Sequence, residues 1–372
     1  MTAKNRFAAL ACAGLLTPSL LLLARPVPIS AQEEAPERKE TPERPEREEP
    51  TLTPEQALAA IKRRAQRILE ARRATRRFKF YAEVSEAVGY ESNPATSSSR
   101  KGDTSFEQSG YFLVSKKLTP TIDWQTSYNP IYLKYIEYGE GDYFDNVLTV
   151  SKLRWAPGRM WRAESWIDLE YNYYPAGKDS TYRQFKTASR IRQNLFGAWF
   201  HQLQYEWFFR NYVRKNARDG AGNETLSNRM DVRYRLRHKA GFTVRQALPL
   251  KNALFTVEND LSSNDSNDAT DDYYDYDAWK ITGSVSGNAT KKLYLSSSFA
   301  FERKNYRERP ITSDVTPEAR YDDKYTITGS ASYDLDDTWR LTYDVSFDTL
   351  NSNHSPGEYD NTKNALKITA RF

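Results

Sequence analysis

The sequence predicts an all-β chain: a transmembrane antiparallel up-and-down β-barrel of about fourteen strands, with twelve or sixteen as alternatives. Three observations lead there. Apolar and polar residues alternate with period two in run after run from Phe78 to the final residue. The connections between runs are short and long in turn. The aromatic residues, 25 Tyr, 17 Phe and 8 Trp, gather toward the ends of the runs, as rings do at membrane–water interfaces.

The chain begins with a different texture. Residues 1–31 read as a signal peptide: Lys4 and Arg6 precede the apolar stretches Phe7–Leu16 and Leu20–Ala24, and Ile29–Ser30–Ala31 has the small residues of a cleavage site. Cys12 lies inside that segment and is the one cysteine, so cleavage leaves no thiol and no disulfide. The apolar run continues beyond Cys12, which argues against acylation there. Residues 32–52 are rich in Pro, Glu and Arg, too polar to bury a core, and predict a disordered periplasmic linker. Residues 53–77 predict one basic amphipathic helix. Thr53 is suited to the N-cap, Pro54 to the first helical position and Gln56 to the third, and Leu58, Ile61, Ala65, Ile68 and Leu69 share a face. Lys62, Arg63, Arg64, Arg67, Arg73, Arg76 and Arg77 make the other face strongly basic. Three roles stand open for it: a solvated appendage, a helix lying on anionic lipid, or a plug in an acidic pore mouth. A periplasmic partner is a further expectation for this helix. Residues 78–372 form the barrel.

No run of eighteen apolar residues follows the signal, so no helical span is predicted. The mean hydropathy of −0.79 hides a barrel, because lipid-facing residues occupy alternate positions only. Losing Lys4, Arg6 and Arg25 with residues 1–31 lowers the net charge from +5 to +2. That balance gives no nucleic-acid signature.

Short turns are expected at Leu118–Thr121, Ala156–Arg159, Phe196–Ala198, Leu248–Asn252, Asn288–Lys292 and Asp336–Thr338. Long loops are expected at Asn93–Asp103, Gly139–Asp142, Pro175–Ser180, Lys215–Thr225, Asn264–Asp272, Glu308–Tyr321 and Asn351–Asp360. Six turns and seven loops make fourteen strands with both ends on the turn side. The alternation is clean in Trp339–Thr349, where Trp339, Leu341, Tyr343, Val345 and Phe347 oppose Arg340, Thr342, Asp344, Ser346 and Asp348. It is less regular in Thr121–Glu137, where Pro130 suggests a bulge, and in Asn146–Trp155, where Leu148 and Val150 fall on the polar face.

Trp124, Trp155, Trp161, Trp199 and Trp339 lie near short turns and are the candidate membrane-interface girdle. Tyr90, Tyr138, Tyr143, Tyr173, Tyr212, Tyr273, Tyr306, Tyr325 and Tyr359 lie near long loops and are expected to form the opposite belt.

The last strand, Asn364–Phe372, alternates Leu366, Ile368, Ala370 and Phe372 with Lys367, Thr369 and Arg371 and stops on phenylalanine. It resembles the C-terminal signal strand of bacterial outer-membrane β-barrel proteins, a resemblance that extends over Phe78–Phe372 and the signal peptide. The resemblance implies a Gram-negative outer-membrane location, contact with lipid and lipopolysaccharide, and recognition of the closing strand by the barrel-assembly machinery. The N-terminal segment is then expected in the periplasm. The closing strand is expected to pair with Phe78–Tyr90.

Little in the sequence suggests chemistry. The three histidines are His201, His238 and His354, too few and too scattered for a metal site or a hydrolase. The chain is expected not to be an enzyme, and nothing calls for a cofactor or metal. The acidic stretch Asp265–Asp277 lacks the glycine and terminal glutamate of a helix-loop-helix calcium site and reads as a surface loop.

The polar faces are richer. Arg190, Arg192, Arg210, Arg233, Arg235, Arg237 and Lys239 are expected to point into the lumen, as are Glu164, Asp168, Glu170, Asp123, Asp344 and Asp348. Opposite charges can pair across the interior and close it, or form separate basic and acidic walls of a pore. A passive or semi-selective channel for small solutes is the favoured function.

A narrower resemblance lies at Gly89–Tyr90–Glu91–Ser92–Asn93–Pro94. This is similar to a Tyr-acidic-Ser-Asn motif in barrel domains of the surface lipoprotein assembly modifiers. It implies a fourteen-strand barrel and, as an alternative function, export or assembly of a surface lipoprotein or polymer. That family carries tetratricopeptide repeats before its barrel, which this chain lacks. A structural barrel with a periplasmic tether is the third reading. The solute or cargo, the oligomeric state and the helix's place are not legible in the sequence.

Overall fold

The structure is a computed structural model that describes residues 62–64, 66, 78–95, 101–195, 198–247, 249–269, 274–310, 319–353 and 357–372, the last three residues of the 274–310 stretch by backbone only. The chain divides into two units, Met1–Arg76 and Arg77–Phe372. In the first, the described residues Lys62, Arg63, Arg64 and Gln66 are helical and exposed. The expected signal peptide, the expected linker and the expected limits of the helix lie outside the described residues.

The second unit is fourteen strands: β1 (Phe78–Glu91), β2 (Asp103–Lys117), β3 (Ile122–Tyr135), β4 (Tyr143–Trp155), β5 (Trp161–Tyr173), β6 (Tyr182–Leu195), β7 (Trp199–Arg218), β8 (Glu224–Ala247), β9 (Leu250–Ser266), β10 (Tyr276–Asn288), β11 (Leu293–Pro310), β12 (Ala319–Asp334), β13 (Trp339–Ser352) and β14 (Tyr359–Arg371). Each pairs antiparallel with its sequence neighbours, and β1 pairs with β14, giving a closed barrel. The seam runs from Glu83↔Arg371 to Glu91↔Lys363. It is extended by Phe372, whose N–H donates to the Ala82 carbonyl at 2.9 Å while the Ala82 N–H donates back at 3.1 Å. Closure satisfies the backbone groups that an open edge would leave bare, a requirement inside a bilayer.

The cross-strand registers carry one face parity round the ring. Val88 faces Leu366, Leu366 faces Tyr343, and Ile327 lies between Phe347 and Phe299. These apolar residues are exposed on the outside, at 52% for Val88, Leu366 and Ile327 and 49% for Phe299, Tyr343 and Phe347. In water such a surface would aggregate; as the outer band of a barrel it matches lipid. The opposite parity holds the charges.

Two local features depart from the sequence expectation. Pro130 causes no register shift. It pairs with Asn146 on β4, and Ser109↔Ile131 and Phe112↔Tyr128 keep one register on either side. Proline has no N–H, so the ladder skips Gly110 and Tyr111, and the missing Gly110 side chain makes room for the Pro130 ring. The bulge is in β4 instead. Thr149 and Ser151 pair with consecutive residues Asp168 and Ile167 of β5, so Val150 is the extra residue. The slip of one residue returns Leu148 to the outer face, where it is 40% exposed.

The long-loop rim differs as well. Lys215–Thr225 is not a loop. β7 and β8 continue as a hairpin with Asn216↔Asn228 and Arg218↔Glu224 paired, after register shifts beyond Asn211. The tip, Asp219–Asn223, turns through Gly222 at a φ of 82°, a left-handed conformation that glycine adopts without strain. The backbone N–H groups of Asn223 and Ala221 donate to Asp219 and hold its carboxyl below the usual range. At the other rim, β9 already begins at Leu250, so the turn expected at Leu248–Asn252 is shorter.

Candidate functional site

The registers determine which inward charges meet. Glu164 on β5 faces Arg190 on β6. The two form an ion pair, and Lys152 of β4 approaches the same carboxylate at 3.3 Å. Asp168 is held by Lys186 at 2.6 Å, by the Thr149 hydroxyl at 2.7 Å and by the Trp166 indole at 3.1 Å. Glu206 on β7 is 2% exposed, with Arg237 at 2.6 Å and Arg235 at 3.6 Å. Arg235 also pairs with Asp260 of β9, and Glu258 lies 3.5 Å from Lys239 and 3.9 Å from Arg237. Glu170 accepts from Tyr182 and Gln184, each at 2.5 Å. Asp348 accepts from Thr326 at 2.6 Å and lies 3.7 Å from Lys324. Asp123 pairs with Arg154 at 3.0 Å.

Neither arrangement expected of these charges is present. The described ion pairs between strands join neighbours or next-but-one strands, as in Arg371 with Glu83 of β1 at 3.0 Å and Asp334 of β12 at 3.4 Å. None crosses the interior among the described residues. Acidic and basic residues interleave along one wall, instead of forming two walls of opposite sign. The reason lies in adjacency: a side chain of ordinary length reaches the next strand, about 5 Å away, far sooner than the opposite side of a fourteen-strand ring.

Some inward residues have no ion-pair partner among the described residues. Arg192 lies 3.8 Å over the Phe200 ring and donates to Asn194 at 3.0 Å. Arg210 donates to Gln184 at 2.9 and 3.1 Å and stacks over Tyr182 at 4.0 Å. Arg233 donates to the Ser262 hydroxyl at 3.4 Å and lies 5.9 Å over the Phe208 ring, and its Nε is buried without a hydrogen bond. Asp344 lines a groove on the lumen side of the seam with Glu107 and Tyr143.

The aromatic belts are partly corrected. Trp155, Trp161, Trp199 and Trp339 are 50%, 44%, 50% and 43% exposed on the outer face near the turns. Trp124 is on that face too but half-buried, its indole donating to Ser151 at 3.1 Å. Of the tyrosines at the loop rim, Tyr90 and Tyr325 face outward, whereas Tyr143, Tyr212, Tyr306 and Tyr359 have the inward parity. Tyr273 lies outside the described residues. Position near a strand end does not tell which face a tyrosine takes; that needs the register.

Two other candidates resolve simply. His201 and His238 stack on the outer face near the turn rim, their rings 5.6 Å apart. Within the acidic stretch, Asp265, Asp275 and Asp277 gather round Arg307, the last two at 3.9 and 3.1 Å. A guanidinium occupies the centre where a divalent ion would otherwise be sought. Asp271, Asp272 and His354 lie outside the described residues.

The Tyr90–Asn93 motif has a mechanical role. Glu91 is buried and takes hydrogen bonds from Tyr135 and from the Asn361 amide, each at 2.6 Å, and an ion pair from Lys363 at 2.8 Å. Ser92 and the Asn93 N–H both donate to the Asn361 carbonyl oxygen. The motif therefore clasps the first strand to the last at the loop rim.

No family model matches the sequence, and no curated protein matches it. Among solved structures, an outer membrane protein of Vibrio cholerae, OmpT with loop L8 deleted, is similar over 80% of this chain and 99% of its own, at 7% identity and a TM-score of 0.45. OprB of Pseudomonas putida is similar over 84% and 97%, at 7% identity and a TM-score of 0.45. An anion-selective porin from Comamonas acidovorans is similar over 80% and 99%, at 9% identity and a TM-score of 0.41. The closed ring of fourteen antiparallel strands, its exposed apolar outer band and its charged interior are those of a transmembrane β-barrel.

Proposed function

We propose that the protein is an outer-membrane channel, passive or semi-selective, for small solutes, and not an enzyme. The observation that carries this is the lateral arrangement of the lumen charges. Glu164, Asp168, Glu206, Glu258 and Asp260 are neutralised along the wall by neighbours on adjacent strands. Charges satisfied in this way line a passage without bridging it, and they give the passage a polar surface that water wets. The described histidines face outward, so among the described residues no histidine stands beside an inward hydroxyl. With both barrel ends on the turn side, the turns and the N-terminal segment face the periplasm and the β7–β8 hairpin faces the exterior.

Purified protein in planar bilayers tests the reading. Discrete conductance steps are expected, with or without residues 32–77. Silence from both forms overturns it.

A further inference from the structure

A cavity of about 320 Å³ lies on the lumen side of β6 to β11 toward the loop rim. That is the lower end of the size range of small-molecule sites, about 300–1,000 Å³. Four cations line it, Arg210, Arg229, Arg233 and Lys304, against one carboxylate, Asp231. Arg229 spends its charge on Asp231 through two hydrogen bonds of 2.9 and 2.6 Å. The other three have no ion-pair partner among the described residues. Arg210 is held in place by Gln184 and Tyr182, and Lys304 lies 3.9 Å over the Tyr276 ring. Of the nearby carboxylates, Glu170 is engaged by Tyr182 and Gln184, and Asp322 by Arg320 at 2.8 and 2.9 Å, while Asp145 and Glu302 act on Arg210 and Lys304 only from beyond ion-pair distance. Three like charges are thus gathered in one concave site with no carboxylate paired to them among the described residues. Lys186, Arg190, Arg235, Arg237 and Lys239 on the same wall each have a carboxylate within 4 Å, and Arg192, without an ion-pair partner among the described residues, stands apart from the cavity over Phe200.

We propose that this cavity binds small polyanions carrying two or three carboxylate or phosphate groups, with Arg210, Arg233 and Lys304 as the cationic contacts. Two guanidinium forks and an ammonium, spread over three strands, suit several anionic groups on one molecule better than a single monoanion. The tyrosines beneath the cations fix their positions and exclude water from one side, which strengthens the attraction. The inference rests on the channel reading, since the cavity is reached from the lumen.

The test uses the full mature chain, folded in detergent, with equilibrium dialysis of labelled citrate and labelled pyrophosphate beside the bilayer recordings. Saturable binding of one or both probes is expected, with neither acetate nor glucose competing. Binding should weaken about tenfold or more in Lys304→Gln and in Arg233→Gln, the loss expected for a charge-assisted contact. Lys239→Gln removes an equal charge elsewhere in the lumen and should change binding less than about twofold. Heat-modifiable migration on gels confirms that each variant is folded. No saturable binding of either probe overturns the site, as does equal weakening by Lys239→Gln. Binding without conductance leaves the site standing and removes the channel reading; conductance without binding does the reverse.

Discussion

The Asn361 side chain on the last strand accepts the backbone N–H of Asn93, just beyond the first strand, at 3.0 Å across 268 residues of sequence. The Asn361 amide meanwhile donates to Glu91 at 2.6 Å. Asn361 is 3% exposed and Asn93 fully buried. Replacing Asn361 by leucine removes the Oδ1 acceptor of the Asn93 N–H and one of the two donors to Glu91 Oε1, which keeps Lys363 at 2.8 Å. A loss of about 1–3 kcal/mol is expected for breaking this buried link. Urea unfolding in detergent measures it, and an unchanged midpoint would show that the clasp is dispensable to the seam.

Glu206 lies between Arg235 and Arg237. Glu206→Gln keeps the shape and leaves those guanidiniums with one fewer counter-charge. The lumen becomes more positive, so the reversal potential in a salt gradient should move toward that of the anion. A shift toward the cation would contradict the placement of Glu206 on the pore wall.

Val345 and Ser346 are neighbours on β13 with opposite parity, Val345 outward. An arginine on the lipid face near the bilayer midplane costs about 2–4 kcal/mol. Val345→Arg should therefore destabilise the folded barrel in lipid, and Ser346→Arg should leave stability nearly unchanged. Equal effects would mean that the two faces are not lipid and water.

Trp199 and Trp166 should respond to different quenchers. Trp199 is on the outer face, stacked on Phe242 at 4.7 Å. Trp166 is inward and donates to Asp168. In single-tryptophan variants, brominated lipid should quench Trp199 and spare Trp166, whereas acrylamide in water should reach Trp166. The reverse pattern would turn the barrel inside out.

Phe372 is 73% exposed on the outer face, and its backbone alone makes the two bonds to Ala82. Phe372→Ser preserves those bonds. Refolding into detergent should be nearly unaffected, while the folded, heat-modifiable band recovered from outer membranes should fall, if the ring is what the assembly machinery reads. Equal recovery of both proteins from cells would remove that role.

Strand number and the closed antiparallel ring were legible in the sequence, because a period of two and the spacing of turns are local properties. The partners were not. Glu206, Glu258 and Asp260 neutralise Arg235, Arg237 and Lys239, yet nothing near any of them in sequence marks the pairing. Which residues meet depends on register, and register depends on single-residue events such as the extra Val150 in β4. Pro130 was a misleading signal: its missing N–H interrupts a ladder without moving it. The polyanion cavity lay furthest from view. It needs Arg210, Arg233 and Lys304 from three strands at one height, and a tyrosine such as Tyr306 facing inward instead of toward lipid.

The β7–β8 hairpin has a practical corollary. Its strands have 20 and 24 residues, where a tilted strand needs about 9–11 to cross a bilayer. The surplus carries the Asp219–Asn223 tip about 20 Å beyond the rim, at a rise of about 3.3 Å per residue along a tilted strand. Its two arms pair at Asn216↔Asn228 and Arg218↔Glu224, and Ala269 donates to the Arg218 carbonyl at 2.8 Å, so a peptide spliced in after Gly220 would start from an anchored base. That makes the tip a natural display stalk, able to present a foreign epitope clear of the lipid surface while the ring beneath closes undisturbed.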